Sequence, residues 1–348
     1  MSPVSRPNLN DLAPDVRAYI EYLESQLEER RQRHPAPPAE SEEEMELPPL
    51  VPDEKPTSIH LFTITENGIG KRTARHLYQR QRRGGMGIFD LDAPNDTAPA
   101  LLALAEENQH LLIFTSQART FRIPAASILS GPVRSRGQQL SEKLTLNPEE
   151  TIIAALPAVA AGAYLLVSCN GFVRYLRHHV FGEYMRPGTA MYDAHKYGPL
   201  AAVCHTTDTS DVLIVSQHGR AIRFAQKLIP VQGGPGMRSE ADDPIVSIVG
   251  VDDDSLVFLA DANGRGTIRR MNSFTANKSA GGGGKNIMNS NEVIGAALVT
   301  PDSDIFLISH LSKIIRFAAA EIPIKEGVVQ GVNCMSLRAD RVVALAVT

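Results

Sequence analysis

Six copies of one strand–turn–strand pattern dominate the chain and restrict it more than any other feature. Written under one another they begin at His60 (HLFTITENGIGKR), His110 (HLLIFTSQARTFRI), Tyr164 (YLLVSCNGFVRYL), Asp211 (DVLIVSQHGRAIRF), Ser255 (SLVFLADANGRGTIRR) and Asp304 (DIFLISHLSKIIRF). Each joins an apolar strand to a second, cation-bearing strand through a small polar turn, which is a hairpin signal. The starts are 44 to 54 residues apart. A looser stretch and one more apolar run close each repeat: Ala100–Leu104, Ile152–Leu156, Ala201–Cys204, Ile245–Val249, Val293–Leu298 and Val342–Val347. The first strands are apolar at successive positions, as in Val212-Leu213-Ile214-Val215. Strict alternation would mean one buried face, whereas continuity means burial on both. Strands of this kind at this period read as blades, so the expected fold is all-β: a six-bladed β-propeller of four-stranded blades. A β-solenoid is the weaker alternative, since its period is normally shorter. The last run, Val342–Val347, has no repeat behind it and is expected to complete a blade begun elsewhere, so that no edge stays open.

What precedes the repeats differs in composition. Residues 1–34 are expected to hold a helix, with Asp11 as cap and Leu12, Val16, Ile20, Leu23 and Leu27 at helical spacing. It could pair with a second copy, pack on the body or meet a partner protein. Residues 35–56 are rich in Pro and Glu and read as a disordered linker. The net charge of −4 conceals an asymmetry: residues 1–56 carry 13 acidic and 6 basic side chains, the remainder 26 and 29. The repeat body, residues 57–348, is therefore mildly basic behind an acidic attachment, which is compatible with a nucleic-acid partner. The N-terminus lacks the pattern of a secretory signal, and no apolar run is long enough for a membrane helix. Three widely spaced cysteines, Cys169, Cys204 and Cys334, read as buried reduced thiols, hence a cytoplasmic protein.

Several chemistries are excluded. Gly281-Gly282-Gly283-Gly284-Lys285 looks like a phosphate loop, but Asn286 stands where Ser or Thr would bind magnesium and the glycine spacing is wrong. It reads as a long blade loop. His178-His179 has no cysteine nearby to make a metal site. No Ser, His and Asp grouping emerges from spacing. No cofactor, metal or catalytic residue is expected.

One non-repeated heptapeptide, Gln81-Arg82-Arg83-Gly84-Gly85-Met86-Gly87, follows the second strand of the first repeat. Paired arginines can grip phosphates bidentately, and glycines let a phosphodiester approach the backbone. Together with the six repeats, this segment resembles the gyrase box in the C-terminal domain of DNA gyrase A, a domain shared with topoisomerase IV. The resemblance covers about residues 57–348. It matches the box at Gln81, Arg82, Arg83, Gly84, Gly85 and Gly87, and departs at Met86, where the family has Lys or Arg. It implies a β-pinwheel that binds and wraps duplex DNA on its outer rim. Recurring cations on the second strands are the expected rim contacts: Lys71, Arg72, Arg119, Arg122, Arg174, Arg177, Arg220, Arg223, Arg265, Arg269, Arg270, Lys313 and Arg316. With no Trp and 5% aromatics, duplex backbone binding is favoured over single-strand stacking. The resemblance also places the DNA-cutting tyrosine in a separate region of several hundred residues, which residues 1–56 cannot hold. The expected protein is a non-catalytic, nucleoid-associated DNA-wrapping module, with gyrase or topoisomerase subunits as further partners. The alternative is an interaction propeller that has lost DNA wrapping, a reading favoured by Met86 and the near-neutral body.

Overall fold

The apolar strands sort their side chains between two neighbours, and this explains their unbroken hydrophobicity. In the fourth repeat Val212 and Ile214 pack towards Leu165 and Val167 of the third, while Leu213 and Val215 pack towards Val257 and Leu259 of the fifth. All four fourth-repeat side chains are fully buried. Six such apolar clusters, one per pair of adjacent blades, form the core of the computed structural model. The structure describes residues 54–93, 97–140, 143–207 and 211–348, together with Val16, Arg17 and Ile20, which are helical. The rest of the expected N-terminal helix, and the linker up to residue 53, lie outside the described residues.

The six blades share one antiparallel four-stranded plan, to which blade 5 adds Ile324–Lys325, paired parallel to Ile268–Arg269. The first blade runs from an inner strand, Pro99–Glu106, through Ile59–Thr65 and Ile69–Ala74 to a short outer strand, Gln138–Gln139. That outer strand belongs to the next repeat. The same donation recurs: Thr189–Ala190 completes blade 2, Gly234–Pro235 blade 3, Lys285–Asn286 blade 4 and Val332–Asn333 blade 5. Ile88–Phe89, from the first repeat, returns to pair with Lys313–Ile314 and completes blade 6. Every blade therefore needs its neighbour, and the chain closes on itself as a ring.

One expectation is corrected here. Val342–Val347 does not complete a blade begun elsewhere; it is the inner strand of its own blade, paired with Asp304–Ser309. Closure falls to Ile88–Phe89 instead. The inner strands surround a central channel lined largely by apolar side chains, among them Leu104, Leu156, Val203, Leu298 and Leu345. The cysteines are free: Cys334 is buried, while Cys169 and Cys204 are half-buried rather than fully enclosed. Among the described residues no helix is long and apolar enough to cross a membrane.

Candidate nucleic-acid interface

Each second strand is followed by a single turn of 3-10 helix, and at three of the six an arginine of the blade before bonds a carbonyl of that turn or of the residue just after it. Arg72 donates from Nε to the Ile128 carbonyl (2.9 Å) and pairs with Glu107 (2.7 Å). Arg223 bonds the Met271 carbonyl (2.8 Å) and pairs with Asp211 (2.7 Å) and Asp253 (2.6 Å). Arg316 bonds the Tyr78 carbonyl (2.9 Å) and pairs with Asp304 and with Glu54 (2.5 Å). These three arginines occupy the fourth position of their strands, and each ties its blade to the turn of the next. Burial alone would raise the Glu54 pKa, but the bonds from Arg75 and Arg316 outweigh it and hold it below the ordinary value.

Five of the thirteen expected rim cations are thereby removed from the rim. Lys71, Arg72, Arg223, Arg269 and Arg316 are 1 to 6% exposed. Lys71 sits on Asp90 (2.8 Å), an enclosed carboxylate that also accepts from Thr63 and Tyr78. Burial lowers the Lys71 pKa, partly offset by Asp90. Arg269 is committed to the carbonyls of Ile287 and Gly327. A phosphate cannot reach side chains so enclosed without opening a seam. The other eight are half-buried or exposed. Arg119 pairs with Glu150 and Arg220 with Glu240, each at 2.6 Å; Arg174 donates to the Met191 carbonyl, and Arg265 to that of Gly331 (3.4 Å). Arg122, Arg270 and Lys313 are half-buried, and Arg177 is exposed.

The box heptapeptide is the strap that carries the first repeat across to blade 6. Gln81 N–H donates to the Arg316 carbonyl (2.7 Å), Gly84 N–H to the Cys334 carbonyl (2.7 Å), and the Gly85 carbonyl accepts from Ser336 N–H (2.9 Å). Arg83 N–H donates to the carboxylate of Glu321 (2.9 Å), which also lies 3.9 Å from the Arg82 guanidinium. Gly87 has φ +69, and a Cβ there would stand 2.7 Å from the Ile314 carbonyl oxygen. Only glycine combines that φ with such a close crossing. A similar crossing precedes the strand donated to blade 4, where Gly284, in the glycine run that looks like a phosphate loop, is the counterpart of Gly87. Every matching box residue thus has a visible backbone or side-chain role at the ring's closing seam. Met86 projects outwards, 51% exposed.

Apart from Arg82 and Arg83 of the box, sequence reasoning missed the cations of the outer segments, which run from each 3-10 turn through the donated strand. Those six segments (75–89, 125–139, 178–190, 226–235, 271–286 and 319–333) hold eleven of the propeller's 29 Lys and Arg but three of its 26 Asp and Glu. Arg134, Arg136, Arg186, Lys227, Lys278 and Lys285 are exposed there, as is Arg238 just beyond. Aligning the repeats on the crossing glycine rather than on the hairpin would have found them. Among the described residues no three His, Cys, Asp or Glu side chains converge as a metal site would need.

Comparison with known proteins decides the family. A family model described as DNA gyrase C-terminal domain, beta-propeller, matches residues 60–96, 109–158, 210–249 and 303–348. The propeller belongs to the DNA gyrase A C-terminal domain family. Similar curated proteins are the DNA gyrase A proteins of Mycolicibacterium smegmatis (27% identical over 303 residues) and of Chlamydia muridarum (26% over 303). Each alignment covers 82% of this chain and 36% of the relative, so the chain spans about a third of the length of the curated relatives it matches. A solved DNA gyrase A C-terminal domain shares the fold with a TM-score of 0.71 at 18% identity, over 82% of this chain and 98% of that one. The C-terminal domain of DNA topoisomerase IV follows at 0.58 and 19%, over 86% and 94%. The region of likeness in this gyrase A-type propeller is thus the C-terminal, non-catalytic part of its relatives.

Proposed function

We propose that the propeller is a non-catalytic module that binds duplex DNA along its outer edge and bends it around the disc, within or beside a type IIA topoisomerase system. The observation that carries this reading is the segregation of charge. The outer segments are strongly basic, while the rest of the propeller holds more acids than bases. A polyanion is drawn to the edge and kept off the body. Contacts of this sort go to phosphates and carry little sequence preference. The box is the seam at which the edge begins and ends, and Arg82 and Arg83 are its phosphate-facing groups, with Gln81 and the backbone of Gly84, Gly85 and Gly87 holding the strap. Topoisomerase subunits are the protein partners of this reading, and the nucleoid is its place.

Gel-shift titrations of a random-sequence duplex at low and moderate salt test it. Each phosphate neutralised contributes about 0.9 to the slope of log K against log salt. We expect a steep slope and little dependence on sequence. Relaxation of plasmid by a nicking-closing enzyme in the presence of the protein should leave a linking-number shift. No binding at low salt, or binding indifferent to salt, would overturn the proposal and leave an interaction propeller in its place.

A further inference from the structure

Acids are rare on the outer segments, and two of the three that occur, Glu321 and Glu326, lie on the sixth. Glu321 is the third residue of that segment's 3-10 turn. The same place in the other turns holds Leu77, Ser127, Val180, Leu228 and Ser273, none of them charged and none of them buried. Glu321 is 1% exposed. A carboxylate taken out of water costs free energy unless donors and cations meet it. Those that meet Glu321 belong to the box. One oxygen accepts from Arg83 N–H (2.9 Å). The other, which accepts no hydrogen bond among the described residues, stands 3.9 Å from the Arg82 guanidinium. The one carboxylate among the six turns thus lies behind the one pair of adjacent arginines on the outer segments. An acceptor for a single N–H does not need a charge, since an amide oxygen serves as well. A negative charge beside a phosphate seat, moreover, repels the ligand, most of all where water is excluded.

We propose that Glu321 is a built-in counter-ion of the box: it takes the place of a phosphate beside Arg82 while the edge is bare, and a duplex must displace it to engage that arginine. The inference rests on the DNA-binding reading above. Adjacent guanidiniums repel each other, and Glu321 offsets that repulsion in the DNA-free ring. The Arg82 side chain is 38% exposed, so it can turn outwards without opening the seam. Once a phosphate draws it away, the carboxylate stays enclosed with its cation withdrawn, and part of the gain is lost. The box therefore grips DNA with the net strength of one arginine rather than two. Met86 acts in the same direction, because it leaves out the family's third cation. A weak clamp at the closing seam makes this the place where bound DNA is released first.

Glu321→Gln keeps an oxygen for the Arg83 N–H and removes the charge. Gel-shift titrations with a random-sequence duplex long enough to pass round the whole edge test the inference. The variant should bind about fivefold more tightly than the parent at low salt, the upper end for an ion pair at a surface. The slope of log K against log salt should steepen by about 0.9, since Arg82 then neutralises a phosphate outright. A double-mutant cycle assigns the effect: Arg82→Gln should flatten the slope by about 0.9 more in the Glu321→Gln background than in the parent. Should Glu321→Gln not fold, Glu321→Ser carries the same test, copying Ser127 and Ser273 at the same place in their turns. Equal or weaker binding by the folded variant would overturn the counter-ion and leave the DNA-binding reading standing. So would a gain that persists undiminished in the absence of Arg82. If the parent protein fails to bind duplex at low salt, both fall.

Discussion

Arg223 and Arg136 are the same kind of residue in the same kind of repeat, yet they serve opposite ends. Arg223 is 3% exposed, locked between Asp211, Asp253 and two carbonyls of the next blade. The Arg136 side chain is 88% exposed, with Asp92 at 3.5 Å as its ionic neighbour. The difference follows from position in the blade. A second-strand side chain at the fourth position points into the seam, where carbonyls at a 3-10 turn accept from it. A side chain before the donated strand points away from the ring. Recurrence of a cation through a repeat therefore marks a recurring need, which can be a structural bond as easily as a ligand.

The largest effect that this contrast predicts is on stability. Arg223→Ala removes two ion pairs and the hydrogen bonds to the blade 5 turn, leaving Asp211 enclosed without its partner. Breaking a buried pair by deleting one member costs about 3–5 kcal/mol. Chemical denaturation should show a loss of that size, while protein that remains folded should bind duplex with the parent's salt slope. A shallower slope with unchanged stability would mean that Arg223 reaches DNA after all, and the division between seam and edge would collapse.

What could be read in advance, and what could not, follows the same division. Val212–Val215 announces a strand buried on both faces because each of its side chains meets a different neighbour, and that demand is written residue by residue. The donated strands leave no such trace. Gly234–Pro235 and Lys285–Asn286 are two residues long, have poor strand propensity, and exist only because another blade offers them an edge. The box was legible as a motif through its resemblance, but its place at the closing seam was not, because Ile88 and Ile314 are far apart in the chain. Lys71 misled for a further reason: its partner Asp90 lies just beyond that same strap, so its burial depends on ring closure.

Gly87 tests the strap itself. A methyl group at this position would approach the Ile314 carbonyl oxygen to 2.7 Å, on a backbone at φ +69. A non-glycine residue held in this region costs on the order of 1–3 kcal/mol. Gly87→Ala should destabilise by about that much, less than Arg223→Ala. Hydrogen exchange should rise first at Ile88, Phe89 and the 313–314 segment, since the donated pair is what the crossing positions. Uniform loss of protection across all six blades would show that the seam is no weaker than the others.

The smallest effect on stability belongs to the edge. Arg134 and Arg136 are exposed on the outer segment of the second repeat; Arg134 leans over the Phe89 ring with its guanidinium carbon 5.7 Å from the centroid. Exposed pairs and cation–π contacts of this kind contribute at most about 1 kcal/mol each. Replacing both with Gln should leave the denaturation midpoint close to the parent's. Binding should change in a specific way. If each arginine neutralises one phosphate, the slope of log K against log salt becomes shallower by about 1.8, and affinity falls for all sequences alike. The paired outcome is what separates edge from seam: stability kept and slope lost here, stability lost and slope kept at Arg223. Should the Arg134→Gln, Arg136→Gln protein keep the parent's slope, the duplex would have to pass elsewhere on the ring, and the charge segregation of the outer segments would need another ligand to explain it.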